Sequence, residues 1–378
     1  MVSNRILKML ISKNIKTFTF EINVTDYDFD YGDNYYFVKR KNSPLERTIK
    51  DISYDDYIYK KLNEIYNNFM PDIIHLHRFR VDYSTIIKFI KDKKVPVVFT
   101  AHDADLICPI STLVRPGGII CDGGIKTRCM FTGCKTGLNV PYEIMRYHSF
   151  INNLSIIKMY LTPSDALTNY IRSFVDRDVE TLRSFINFPE HFDNKSEGNA
   201  FGYIGRIVKE KGIQDVIKAC KILKEKGIEF NFYIAGDGDY KNDLIEIVKK
   251  YDLDNNVHFL GSISGKSKED FFSMINFSVL ASLMFEHLPL SIAEGMVREI
   301  PAVANSIGGI PELIDDEVNG LLAKPYNYMD LANKIEYMLS NRYDLKELGG
   351  NGRKKVMDIL NPEKHILKLI NIYNSILN

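Results

Sequence analysis

The order of apolar runs predicts an α/β chain of two doubly wound, Rossmann-like domains facing a central cleft. Three observations carry that expectation. Strand-like runs alternate with helix-period patterns almost throughout, glycines and cations recur where strands give way to helices, and 378 residues with 45% hydrophobic content suffice for two cores. In the second half the pattern predicts strands at 199–205, 230–235, 257–260, 277–281, 302–305 and 320–323. Helices are expected between them at 212–226, 240–251, 268–275, 290–298 and, after the last strand, 329–340. The first half predicts a helix at 4–13 and strands at 17–22, 72–77, 95–101, 158–162 and 181–185. Polar residues and a glycine at 191–199 predict a linker, so residues 1–195 and 199–361 form the two domains. The last helix, after Pro362, carries Ile366, Leu369, Ile370 and Tyr373 at helical spacing. The Gly-rich stretch 349–352 is expected to let it cross back, adding 362–378 to the first domain.

Composition narrows the partners. Forty-nine basic residues balance forty-nine acidic ones, so no overall field favours nucleic acid or an anionic membrane. A small molecule is the expected partner. No run approaches the roughly eighteen apolar residues of a membrane span, and no signal-peptide core is seen, so the default is a cytoplasmic protein with peripheral membrane contact left open. Five cysteines, an odd number, argue against a secreted disulfide framework. Cys108, Cys121, Cys129 and Cys134 cluster in or beside a glycine-rich, basic stretch at 115–137. Only Cys129 and Cys134 approach metal-ligand spacing, so a surface loop with reduced thiols is expected, with no metal, and a zinc site is the alternative.

The chemistry concentrates at the carboxyl ends of strands. Met-Phe-Glu-His-Leu-Pro-Leu-Ser-Ile-Ala-Glu at 284–294 follows an apolar strand and switches from loop to helix. Pro289 suits the first helical position, which leaves Glu286 before the helix and Glu294 in its second turn. The amides of His287, Leu288 and Leu290 are then free to meet a phosphate, with Glu286 near an attached sugar and Glu294 near ribose hydroxyls. Two glutamates flanking an ordinary helix start are the plainer explanation. Gly205 and Arg206 end one strand, and Lys211 opens the next helix, which suits a diphosphate. A cation about 4 Å from a phosphate oxygen contributes about 4 kcal/mol at an effective dielectric of about 20. A solvated basic turn would use the same residues. Ala235-Gly236-Asp237-Gly238 lacks the third glycine of a dinucleotide fingerprint and is expected to be a tight turn at the cleft. Glycines 308 and 309 are expected to let backbone approach a ligand. In the first half, His75 and His77 sit at one strand tip, and His102 and Asp103 follow the next, so all four are candidates on the acceptor side of the cleft.

Together these segments resemble a family 4 glycosyltransferase, a retaining enzyme of GT-B architecture. Gly205-Arg206 with Lys211-Gly212, 235–238, 257–261, 286–294, 306–312 and 318–321 carry the resemblance, and 71–77 with 102–109 extend it more loosely into the first domain. The resemblance implies that Arg206 and Lys211 bind a donor diphosphate, Glu286 the donor sugar and Glu294 the ribose. His102 would lie near the reacting centre. The donor implied is a UDP- or GDP-sugar, with no cofactor and no divalent metal. The acceptor implied is a glycan, a lipid-linked compound or a small molecule. Family members open with a central strand and a Gly-rich loop, whereas this sequence is expected to start at the helix that follows them, and it contains no tryptophan.

Two functions are therefore weighed. A retaining glycosyltransferase leads, and a non-catalytic sugar-nucleotide-binding homologue or partner subunit is the alternative. A dinucleotide oxidoreductase falls below both because no complete phosphate fingerprint is present.

Overall fold

The computed structural model describes residues 2–23, 35–39, 54–77, 83–108, 111–115, 119–121, 152–192 and 198–378, with residues 123, 124, 129, 134, 144 and 148. The expected linker lies partly outside them, at 193–197, as does most of the basic stretch at 115–137.

The strands, in chain order, are β1 (Thr19–Asn23), β2 (Tyr35–Lys39), β3 (Ile74–Leu76), β4 (Val97–Thr100), β5 (Val114–Arg115), β6 (Ile119–Ile120), β7 (Ile157–Thr162) and β8 (Asp178–Thr181). They continue as β9 (Ala200–Ile204), β10 (Asn231–Ala235), β11 (Val257–Gly261), β12 (Phe277–Leu280), β13 (Ala302–Asn305) and β14 (Gly320–Ala323). The last six form one parallel sheet in the order β11-β10-β9-β12-β13-β14. Its strands are near-continuous apolar runs because helices cover both faces. The chain winds outward from β9 in one direction and from β12 in the other, so the order reverses between these two neighbours. In open parallel sheets that reversal opens a crevice beyond the strand ends.

The first half builds a second parallel sheet, β3-β4-β7-β8, while β1 and β2 form a parallel pair of their own. The chain is thus α/β with two Rossmann-like units. Helix Pro362–Leu377 returns to the first of them. Asn361 caps it by accepting from the Glu363 and Lys364 amides, and Pro362 sits where no N–H is needed. Ile366, Leu369 and Ile372 then pack on Val98, Met159, Leu161 and Phe185. Each such side chain stabilises the fold by about 1.5–3 kcal/mol relative to exposure.

Two expected elements move. The strand at 181–185 is instead β8, because β7 stops at Thr162 and offers no carbonyl beyond the one that accepts from Leu182. Leu182 and Phe185 instead fill the core beside the last helix. The glycines at 349–352 lie inside helix Arg342–Ile359 rather than in a flexible crossing. A Cβ at Gly349 would overlap the Glu299 carbonyl oxygen, so the glycine is there for close packing. Gly350 in the same helix meets nothing within 4 Å. Gly349→Ala should therefore lower the melting temperature, by about 1–3 kcal/mol of stability, while Gly350→Ala should raise it through about 0.5–1 kcal/mol of helix propensity. Thermal unfolding of the two variants beside the parent checks both signs.

Candidate functional site

The crevice between β9 and β12 gathers most of the second-half candidates. Gly205 and Arg206 follow β9, and a single 3-10 turn, Lys209–Lys211, leads into helix Ile213–Glu225. Gly212, with φ +72°, makes that junction; a Cβ there would strike the carbonyl of Ala281 just beyond β12. Close approach of these two strand ends brings Lys211 Nζ within 2.6 Å of Glu286 Oε1. Both side chains are buried, 16% and 8% exposed, so each charge depends on the other for its neutralisation. Tyr203, in β9, lies beside both Glu286 and Arg206, and its hydroxyl donates to the Arg206 carbonyl at 2.7 Å. Burial first, then Glu286, pushes its phenol above the usual tyrosine range.

The loop after β12 is held on three sides. The Leu283 amide donates to the Glu210 carbonyl at 2.8 Å, and the Phe285 amide to Thr112 at 2.9 Å in the first domain. The Phe285 ring lies against Tyr170 and within the first-domain core. Behind the loop, Gly308 (φ +60°) and Gly309 would each collide with backbone carbonyls of Glu286 and His287 if they carried a Cβ. The Gly309 amide donates to the Glu286 carbonyl. These glycines were expected to admit a ligand; what they admit here is the Glu286 loop itself. Pro289 is the residue before helix Leu290–Met296 rather than its first member, because its ψ of 94° is extended. Leu288 is a core side chain and Leu290 packs against the same core, so only their backbones are available to a ligand. Both ring nitrogens of His287 are buried, beside the Ser111 backbone. Burial lowers its pKa, against Asp103 and Glu286, which raise it. Glu294, in the second helical turn as expected, pairs at 2.6 Å with Lys268 of helix Lys266–Met274.

Across the cleft, His75 and His77 stack with centroids 4.2 Å apart, and His102 adjoins His77 with centroids 5.3 Å apart. His75 Nδ1 meets the Tyr373 hydroxyl at 2.6 Å and its Nε2 meets Thr100 Oγ1 at 2.7 Å. Burial holds its pKa down to about 3. A further contact between the domains was missed in the sequence. Glu312 accepts from the Asp165 and Ala166 amides at the start of helix Asp165–Arg172, at 3.0 and 2.8 Å, and pairs with Arg183 at 2.8 Å. A carboxylate at a helix N-terminus is the favourable sign. Cys108 and Cys129 are buried and Cys121 and Cys134 half-buried. Among the described residues, no group of three or more His, Cys, Asp or Glu is placed to hold a metal ion, and no helix is long and apolar enough to cross a membrane.

A family model described as glycosyl transferases group 1 matches residues 185–355, the segment that contains Arg206, Lys211, Glu286 and Glu294. That segment resembles the group 1 glycosyl transferases, and the chain is similar to family 4-like glycosyltransferases of GT-B fold. It is similar to poly(ribitol-phosphate) alpha-N-acetylglucosaminyltransferase of Staphylococcus aureus, 28% identical over 54% of this chain and 41% of that one. The chain thus spans less than half of that relative. An uncharacterized glycosyltransferase of Methanocaldococcus jannaschii is 26% identical over 88% of this chain and 84% of its own length. The crystal structure of Anabaena HepE in complex with UDP-glucose superposes with a TM-score of 0.64 at 15% identity, covering 90% of this chain and 86% of that one. That likeness shows the GT-B fold.

His75 makes stability depend on pH. In the unfolded chain its imidazole titrates near 6.5, in the fold near 3. The unfolded chain therefore takes up a proton that the fold refuses, and the contribution present above about pH 6.5 is lost as pH falls toward 3. Burial lowers His77 and His365 as well, with the same sign. The melting temperature should fall between about pH 7 and 5. His75→Leu, which strands the Tyr373 and Thr100 hydroxyls, should start lower at pH 8 but fall less steeply.

Proposed function

We propose that this protein is a retaining glycosyltransferase that moves a sugar from a UDP- or GDP-sugar to an acceptor held by the first domain, residues 1–195 with 362–378. The observation that supports it most directly is the buried Lys211–Glu286 pair at the reversal point of the six-stranded sheet. A diphosphate entering there competes with Glu286 for Lys211. The ammonium turns to the phosphate, and the carboxylate it leaves needs a new hydrogen-bond donor, which a sugar hydroxyl supplies. Arg206 adds a second cation, and Glu294 would exchange Lys268 for ribose hydroxyls. Breaking the glycosyl–phosphate bond builds negative charge on the diphosphate and positive charge on the ring, which is the polarity these residues match.

Retention follows if the leaving phosphate guides the acceptor to the same face of the sugar, since Glu286, once released by Lys211, accepts from a sugar hydroxyl instead of acting as a nucleophile. His102 and Asp103 lie on the acceptor side, with His75 and His77 behind them. Lys211 and Arg206 supply the charge that a divalent metal would otherwise bring, so turnover should survive a chelator. The UDP-glucose bound to Anabaena HepE, and the N-acetylglucosaminyl group named for the staphylococcal relative, are the donors to try first. A glycan is the first acceptor class to test; lipid-linked and small-molecule acceptors, with peripheral membrane contact at a cytoplasmic face, come after it.

Calorimetry with UDP, GDP and their sugars, followed by donor hydrolysis, tests the reading. Glu286→Gln should cut kcat about 10²–10³-fold while UDP binding holds or tightens, because Lys211 is released. Lys211→Met should weaken UDP binding and turnover together. Absence of binding by every UDP and GDP compound would sink the proposal. Binding with no turnover at any pH would instead assign a non-catalytic sugar-nucleotide-binding homologue.

A further inference from the structure

We propose that His77 is a positioning residue that fixes the ring of His102 through a nitrogen-to-nitrogen hydrogen bond. His77 Nδ1 and His102 Nε2 are 3.0 Å apart, and the two ring planes lie within 20° of each other, so the rings meet edge to edge. A bond between two imidazole nitrogens carries one proton. Whichever ring donates, the other accepts with its lone pair, so the two tautomers are tied together. His102 cannot rotate its ring by half a turn without losing that partner.

The positioner is itself fixed. His77 lies on His75 at 4.2 Å, and both nitrogens of His75 are engaged, one by Tyr373 of the last helix and the other by Thr100 at the end of β4. Thr100, the last residue of β4, is two residues from His102, so the turn that carries His102 starts from a residue tied to His75. Burial keeps His75 and His77 neutral, which removes the like-charge repulsion that would otherwise part three adjacent imidazoles. The returning helix Pro362–Leu377 thereby reaches the cleft through Tyr373 and His75. Holding a reacting group within a fraction of an ångström is a recognised source of rate, and misplacement by about 1 Å costs about a hundredfold.

The bond itself does not rest on the glycosyl-transfer reading; its consequence for rate does. With the imidazoles 15N-labelled in the full chain, a two-bond nitrogen–nitrogen coupling between His77 and His102 is expected in the parent protein. Its absence would overturn the proposal without any variant. His77→Phe, which keeps the stack and removes the nitrogen, should shift the ring-nitrogen resonances of His102 to a mixture of tautomers. It should also lower kcat for UDP-glucose hydrolysis about tenfold to a hundredfold, with KM moved far less, and His77→Gln should recover part of that loss. Unchanged His102 resonances in His77→Phe would overturn the proposal as well. A parent protein that shows the coupling yet neither binds nor hydrolyses UDP-glucose would count against the transferase reading and leave the positioning role standing.

Discussion

The structure turns on one ion pair. Lys211 and Glu286 come from loops that follow different strands, β9 and β12, and meet at 2.6 Å with little solvent. A buried pair of this kind contributes little net stability over an apolar pair of the same shape, yet removing either partner strands a charge at a cost of about 3–5 kcal/mol. Such a contact is easily displaced by a ligand that serves both charges and hard to displace by anything else. Under the proposed function a sugar joined to a diphosphate would be that ligand, since it brings an anion for the ammonium and hydroxyl donors for the carboxylate.

Much of the surrounding architecture keeps the two residues at that distance. Gly212 lets the helix after β9 touch the end of β12, and Gly308 and Gly309 let the Glu286 backbone sit against the loop after β13. The first domain closes on the same loop from the other side, through Thr112 and the Phe285 ring. Glu312 draws the start of helix Asp165–Arg172 to the second domain, with Arg183 closing the charge balance. The cleft is thus spanned near Glu286 and again at Glu312, and the last helix ties the second domain back to the first through its Ile366, Leu369 and Ile372 face.

The sequence made the second domain legible because each of its elements is locally consistent: apolar strands, helix-period patterns and turn glycines agree over 200–340. The ion pair itself was not visible there. Lys211 and Glu286 read as separate binders of phosphate and sugar, because contact between residues 75 positions apart depends on the sheet order. The glycines at 349–352 looked like a break because a local reading cannot see the Glu299 carbonyl that demands one of them. Tyr373 was legible only as part of an apolar helix face, and Thr100 carried no signal; a hydroxyl that anchors a buried histidine looks like any other tyrosine or threonine. Glu312 stood inside a recognised motif, but its partners lie in the other domain.

The most direct measurement of the central claim is a crystal structure with UDP bound. The Lys211 ammonium is expected on a diphosphate oxygen, with Arg206 alongside and the Glu286 carboxylate released toward the space where the hexose would sit. A nucleotide held elsewhere, with the Lys211–Glu286 contact intact, would contradict it.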